Sequence, residues 1–207
     1  MAQYVMFYKP RGYLTACRDR HRPTIMELLP QELRRLHPVG RLDRDTEGLL
    51  LLTDDGTLDN RLLQPRLHVE KEYFFAAFGT LDDGKRQRLE QGLYLPGDPV
   101  ITRPARLTDA AMTTLAQTAG WLPRVCNRRM LRLPDRPVAT GVLTIREGRK
   151  HQVRRMLGAV DCQIFYLKRI GLGGVKLDPA LQPGQYRFLT AEEKRLLRID
   201  EDEPMPV

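Results

Sequence analysis

The spacing of apolar and polar positions changes several times along the chain, and each change predicts an element. Residues 4–8 form a short apolar-rich run that stops at Lys9-Pro10, which predicts a first strand. Residues 24–36 place Leu28, Leu29, Leu33 and Leu36 at helical spacing, with Pro30 as a break or restart. Residues 49–53 have the length and composition of a buried strand. Asp54-Asp55-Gly56 then makes a turn, and residues 58–63 form a helix that ends before Pro65. Residues 71–78 are aromatic and weakly alternating, hence a strand. Residues 82–91 read as a helix closed by Gly92 as a left-handed cap.

The stretch 93–137 is rich in proline and predicts short strands and loops separating two lobes of one domain. Trp121 within it is read as a packing residue. Residues 140–146 are a strand, Gly148 a turn, and 149–158 a helix with Val153, Met156, Leu157 and Val160 on one face. Residues 162–170 and 175–177 are strands joined by a Gly171-Leu-Gly-Gly174 turn. Thr190-Ala-Glu-Glu193 is a capping box opening a last helix to about Ile199. Strands and helices mix without a βαβ period. The expected fold class is α+β, a mixed, mostly antiparallel central sheet with flanking helices.

Charge narrows the partners. The chain has 207 residues, with Lys+Arg 34 against Asp+Glu 26, a net charge of +8. A chain of that length buries roughly 70% of its unfolded surface and needs no staple to fold. The basic residues cluster: Lys9, Arg11, Arg18, Arg20 and Arg22; Arg124, Arg128, Arg129, Arg132 and Arg136; Arg146, Arg149, Lys150, Arg154 and Arg155. Such clusters suit a polyanion. Asp200, Glu201, Asp202 and Glu203 make residues 199–207 an acidic tail. No apolar run approaches the ~20 residues a membrane span requires. The first residues lack the basic and apolar regions of a secretory leader, so a cytoplasmic protein is expected. Cys17, Cys126 and Cys162 are far apart, and His21, His37, His68 and His151 are scattered. Reduced thiols and no metal follow.

Candidate chemistry concentrates between His37 and Gly56. Asp43, Asp45 and Glu47 stand beside Arg41 and Arg44 in a polar loop flanked by Gly40 and Gly48 and followed by an apolar strand. A carboxylate among guanidinium groups stays ionised and suits nucleophilic attack or charge stabilisation. From the charge pattern alone, a solvated acidic–basic loop is the simpler reading.

Residues 40–56 match throughout the signature G-R-L-D-x-x-T-x-G-L-L-L-L-T-x-D-G, and the chain therefore resembles the RsuA-like family of ribosomal RNA pseudouridine synthases. Lys9-Pro10-Arg11-Gly12 resembles the family's K-P-x-G, and Lys71-Glu72-Tyr73 its K-x-Y. Residues 147–156 resemble E-G-x-x-H-Q-V-R-R-M, and 184–190 the closing G-x-x-R-x-L-T. The likeness runs over about residues 4–198, expected to form one catalytic domain, with no preceding S4-type RNA-binding domain. In that layout the chain is similar to a large-subunit member of the family. One stretch departs: where the family reads G-x-P-T-L-R-L-x-R, Asp161, Gln163 and Tyr166 replace Gly, Pro and the first Arg, with Leu167 and Arg169 still in register.

The resemblance implies isomerisation of a uridine to pseudouridine in ribosomal RNA, most naturally 23S RNA, without cofactor, by a monomer. It implies Asp43 as the nucleophile, acting at C1′, at C6 or on the C2′ proton. Tyr73 would stack on the uracil with its hydroxyl near C5, and Arg154 would pair with the catalytic carboxylate. It further implies Arg41, Lys71, Arg149, Lys150, His151, Gln152, Arg155 and Leu167 as substrate-binding, with Arg149, Lys150 and Arg155 on exposed positions facing phosphates. Two alternatives stand beside it. One is a non-catalytic RNA-binding or ribosome-assembly protein on the same fold. The other is a metal-dependent nuclease using Asp43, Asp45, Asp54 and Asp55.

Overall fold

A computed structural model of the chain describes residues 2–122 and 124–199. The acidic residues 200–203 lie outside them. In chain order the elements are β1 (Tyr4–Lys9), β2 (His37–Pro38), β3 (Glu47–Thr53), α1 (Gly56–Leu63), β4 (Lys71–Phe78), α2 (Asp83–Gln91) and β5 (Arg106–Thr114). They continue with α3 (Leu115–Trp121), β6 (Pro137–Ile145), α4 (Gln152–Gly158), β7 (Gln163–Leu172), β8 (Val175–Lys176), β9 (Tyr186–Phe188) and α5 (Ala191–Leu196). They fall into two compact units. One comprises the described residues up to Glu70 together with those from Arg169 onward; the other comprises the described residues of 71–168. The proline-rich stretch 93–137 lies wholly inside the second unit, so it is not the boundary that its composition suggests.

In the first unit β9, β1, β3 and the last residues of β7 are neighbours in that order. The β1–β3, β1–β9 and β2–β3 ladders are antiparallel. Leu49 to Leu52 are all buried, as are Val5 to Lys9, because both faces of these strands are covered. One face packs Met6, Leu49 and Leu51 with Leu58 and Leu62 of α1 and with Leu172, Leu189 and Leu197. Asp55 caps α1 by accepting from the Thr57 and Leu58 amides, and its other oxygen accepts the Tyr4 hydroxyl at 2.9 Å. The Asp54 carboxylate accepts the Gln3 amide at 2.7 Å.

In the second unit β5, β6 and β4 are neighbours, with the first residues of β7 beside β4. β4 pairs antiparallel with β6 over its whole length, Tyr73 opposite Leu143. Ala76, Leu115, Val138 and Tyr166 form a core with Phe74 and Phe78 against it. Tyr166 meets the Phe74 ring edge-on at 6.0 Å, as does Trp121 at 5.8 Å.

Several expectations shift for local reasons. The helix expected over 24–36 is two short 3-10 turns, Ile25–Leu28 and Gln31–Leu33. Pro30 forces the preceding residue out of helical space, and Leu29 is extended at φ −96, ψ 144. Gly92 ends α2 with φ 98 and ψ 159, a positive-φ extended turn rather than a left-handed helical cap. The helix expected from Arg149 starts at Gln152, because His151 takes a left-handed conformation at φ 52. Asp161 occupies the family's glycine position at φ 59, a conformation that aspartate tolerates better than most residues. Helix α3 replaces part of the short strands and loops that the proline content predicts, and Thr114 and Gln117 form a complete capping box at its start.

Gly48 has φ +108, and a Cβ there would collide with the backbone carbonyl of Arg169. Gly48→Ala is therefore expected to destabilise the fold by more than about 1 kcal/mol. Urea titration should show a lower midpoint at an unchanged slope; an unaltered midpoint would contradict the close approach.

Candidate active site

Asp43 lies in the first unit, half-buried in the loop that feeds β3. Four contacts fix that loop. Gly12 and Arg44 are joined twice: the Gly12 amide donates to the Arg44 carbonyl at 2.8 Å, and Arg44 Nε donates to the Gly12 carbonyl at 3.1 Å. Thr15 Oγ1 donates to the Leu42 carbonyl at 2.8 Å and accepts the Leu42 amide at 3.2 Å. The Asp43 carbonyl accepts the Thr46 amide at 3.0 Å, closing a turn. The fourth contact is Lys9.

Lys9 ends β1 opposite Gly48 and is fully buried. Its Nζ donates to the carbonyls of Thr46 at 2.8 Å, Pro10 at 3.0 Å, Asp43 at 3.1 Å and Arg44 at 3.3 Å. Three of those four carbonyls belong to the Asp43 loop. Burial pushes the Lys9 ammonium down to about 8, while Asp43, Asp45 and Glu47 pull it back up. In the sequence Lys9 belongs to a family landmark and a basic cluster, neither of which marks it as part of the site. The signal was available: a lysine that closes an unbroken apolar strand sits where a strand interior would place it. On the far side of the loop, Arg169 of β7 is buried and donates Nε to the Leu49 carbonyl at 2.7 Å. The Tyr8 hydroxyl donates to Glu47 at 2.9 Å. Arg41 is exposed.

The remaining expected residues belong to the second unit. Lys71 and Tyr73 are on β4, with Tyr73 buried at 9% exposure. Arg154 is half-buried on α4, and Leu167 is buried on β7. Lys150 and His151 are exposed before α4. Arg149, Gln152 and Arg155 have partners within the chain. Arg149 donates to the carbonyls of Val100 at 2.6 Å and Ile101 at 2.7 Å and pairs with Asp98 and Glu147. Arg155 donates to the Pro96 carbonyl at 2.6 Å and pairs with Asp98 at 3.0 Å. Gln152 is buried, donates to Glu147 and accepts the Arg149 amide. The Arg155 hydrogen bond, with burial opposing it and Arg149 adding to it, holds the Asp98 carboxyl below its usual range. These guanidinium groups bond internal acceptors. They tie the start of α4 to the 96–101 loop, and the position of Arg154 on that helix depends on them.

The nuclease alternative loses its ligand set, because Asp54 and Asp55 are engaged by Gln3, Tyr4 and the start of α1. Among the described residues no group of three or more His, Cys, Asp or Glu is arranged to hold a metal, and no helix is long and apolar enough to cross a membrane.

Residues 3–159 match the model of the RNA pseudouridylate synthase family, and the chain belongs to that family. It is 40% identical over 196 residues, 94% of this chain and 72% of the relative, to an uncharacterized RNA pseudouridine synthase of Bacillus subtilis, YtzG. It is 35% identical over 192 residues, 92% of this chain and 72% of the relative, to ribosomal small subunit pseudouridine synthase A of Escherichia coli. A crystal structure described as a pseudouridylate synthase superposes with a TM-score of 0.77 at 35% identity, covering 95% of this chain and 74% of that one. The chain is thus an RNA pseudouridine synthase, an isomerase, on the pseudouridine synthase fold.

Activity is expected to fall as pH rises through about 8, because Lys9 then loses the proton that lets it serve the loop carbonyls. Stability has the opposite sign. The unfolded lysine holds its proton up to about 10.5, so between about 8 and 10.5 deprotonation favours the fold. A rate–pH profile recorded beside thermal melts checks this. A flat alkaline limb, or activity and melting temperature falling together, would contradict it.

Proposed function

We propose that the chain converts a uridine of ribosomal RNA to pseudouridine with Asp43 as its nucleophile, as a monomer in the cytoplasm. The observation that carries this reading is the built loop. A carboxylate at position 43 is flanked by the Lys9 ammonium on its own main chain and by Thr15 on its neighbour's. In the reaction the bond from C1′ to N1 breaks, a bond from C1′ to C5 forms, the C5 proton leaves and N1 gains one. Nothing is oxidised and no group is transferred to another molecule, so the chemistry requires no cofactor. Asp43 starts it at C1′, at C6 or on the C2′ proton, and each route requires an ionised carboxylate. Tyr73 supplies a ring for the uracil and a hydroxyl near C5, and Arg154 the counter-charge for Asp43. Lys71, Lys150, His151, Arg41 and Leu167 contact the substrate. Arg149, Gln152 and Arg155 act on it through α4. The base must leave its stack first, at a cost of a few kcal/mol that phosphate contacts offset.

The relatives bear on the target subunit. Layout pointed to 23S RNA, whereas relatives 35–37% identical over more than nine-tenths of the chain are named small-subunit enzymes, which favours small-subunit RNA. Mapping pseudouridine in both ribosomal RNAs, with and without the protein, decides between them.

Asp43→Asn keeps the shape and removes the charge. It is expected to abolish tritium release from RNA labelled at uracil C5 while leaving RNA affinity intact, and the wild type is expected to work in EDTA. Substantial single-turnover activity in the Asn variant would overturn the nucleophile assignment. A wild type that binds RNA and releases no tritium would favour the non-catalytic reading.

A further inference from the structure

Arg149 and Arg155 of the second unit bond internal acceptors. The first unit carries positive charge without internal partners. Residues 17–34 bound an open pocket of about 840 Å³ whose lining includes Cys17, Arg18, Arg20, Thr24, Met26 and Arg34. Asp19 and Glu27 also line it, but both carboxylates are occupied by the main chain. Asp19 accepts the His21 and Arg22 amides at 3.0 and 2.9 Å, and Glu27 accepts the Thr24 amide at 2.7 Å. Arg34 uses only Nε, on the Leu29 carbonyl at 3.0 Å. The guanidinium groups of Arg18 and Arg20 are exposed and have no partner among the described residues. The pocket is thus a concave surface with three guanidinium groups available and its acids turned to local work.

Its place in the chain matters as much as its charge. Thr15, hydrogen-bonded to Leu42, is three residues from Arg18, a reach of at most about 11 Å. The segment that buttresses the Asp43 loop therefore continues directly into the pocket wall.

We propose that this pocket, through Arg18, Arg20 and Arg34, binds backbone phosphates of RNA nucleotides that flank the target uridine. The proposal rests on the RNA reading above and deepens it: this unit grips the strand beside the residue it modifies. Exposed guanidinium groups on an irregular loop suit single-stranded backbone, read by charge and not by sequence.

The test uses the full chain and a fluorescein-labelled oligouridylate. Arg18→Gln with Arg20→Gln is compared with Arg66→Gln and Arg195→Gln, an equal charge change at exposed sites outside the pocket. Each single-strand phosphate contact contributes about 0.7 to the slope of log K against log salt. Loss of two should flatten the slope by about 1.4 and weaken binding about tenfold near 0.15 M salt. The control pair should change less. Cys17 gives a second readout, since it is exposed while Cys126 and Cys162 are buried. Saturating oligouridylate should slow maleimide labelling of Cys17 in the wild type, and inorganic phosphate at the same ionic strength should not.

An unchanged salt slope in the pocket variant, or Cys17 labelling indifferent to RNA, overturns the proposal. So does equal protection by inorganic phosphate, which would make the pocket a free-anion site. Tritium release separates the two readings. A wild type that makes pseudouridine, with a pocket variant of unchanged slope, removes the pocket alone. A wild type that shows the binding shifts without making pseudouridine removes the synthase mechanism and leaves the pocket standing.

Discussion

One buried ammonium holds the loop that carries the proposed nucleophile. Lys9 has no exposure to solvent, and its Nζ serves the carbonyls of Pro10, Asp43, Arg44 and Thr46. A loop that turns sharply into a fully buried strand leaves carbonyls facing inward, and each one left unpaired costs about 1–3 kcal/mol. Lysine meets that demand with three donors at the tip of a long flexible stem, one of them shared between two of the four carbonyls. Desolvation opposes it, and the nearby carboxylates of Asp43, Asp45 and Glu47 offset part of that opposition. The acids of the loop and the lysine beneath it therefore depend on each other. Gly48 completes the arrangement, since the close approach of Arg169 leaves no space for a side chain.

The second unit applies the same logic with guanidinium groups. Asp98 receives both Arg149 and Arg155, and their remaining donors take the carbonyls of Pro96, Val100 and Ile101. An irregular loop has few partners for its own carbonyls, and the planar forks of arginine supply several donors each. Net positive charge is thus divided between two uses. Part of it fixes backbone around α4, and part, around Arg18 and Arg20, faces solvent without partners among the described residues.

Much of the fold was legible because it rests on local pattern. Lys71–Phe78 was read to the residue, and the capping box at Thr190 opens α5 as its sequence states. The Asp43 loop was legible as a candidate site through the length of its signature. The errors have physical causes. The leucines of 24–36 keep a helical spacing, but Pro30 removes a donor and displaces Leu29, so only 3-10 turns survive. Helix α3 was hidden in a proline-rich composition although its Thr114 and Gln117 cap was present. Arg149 and Arg155 look like surface cations in sequence, because the carbonyls that claim them lie some fifty residues away. Lys9 was missed for the same reason: its acceptors are more than thirty residues distant, apart from Pro10.

The most direct measurement is the single-turnover rate of pseudouridine formation by Lys9→Met at saturating RNA, taken below its melting transition and paired with its RNA affinity. If the ammonium sets the geometry of the Asp43 loop, the rate should drop by roughly a hundredfold, as for a nucleophile displaced by about 1 Å, with RNA affinity little changed. A folded variant that retains the wild-type rate would contradict the account, as would one whose lost activity is fully explained by weaker RNA binding.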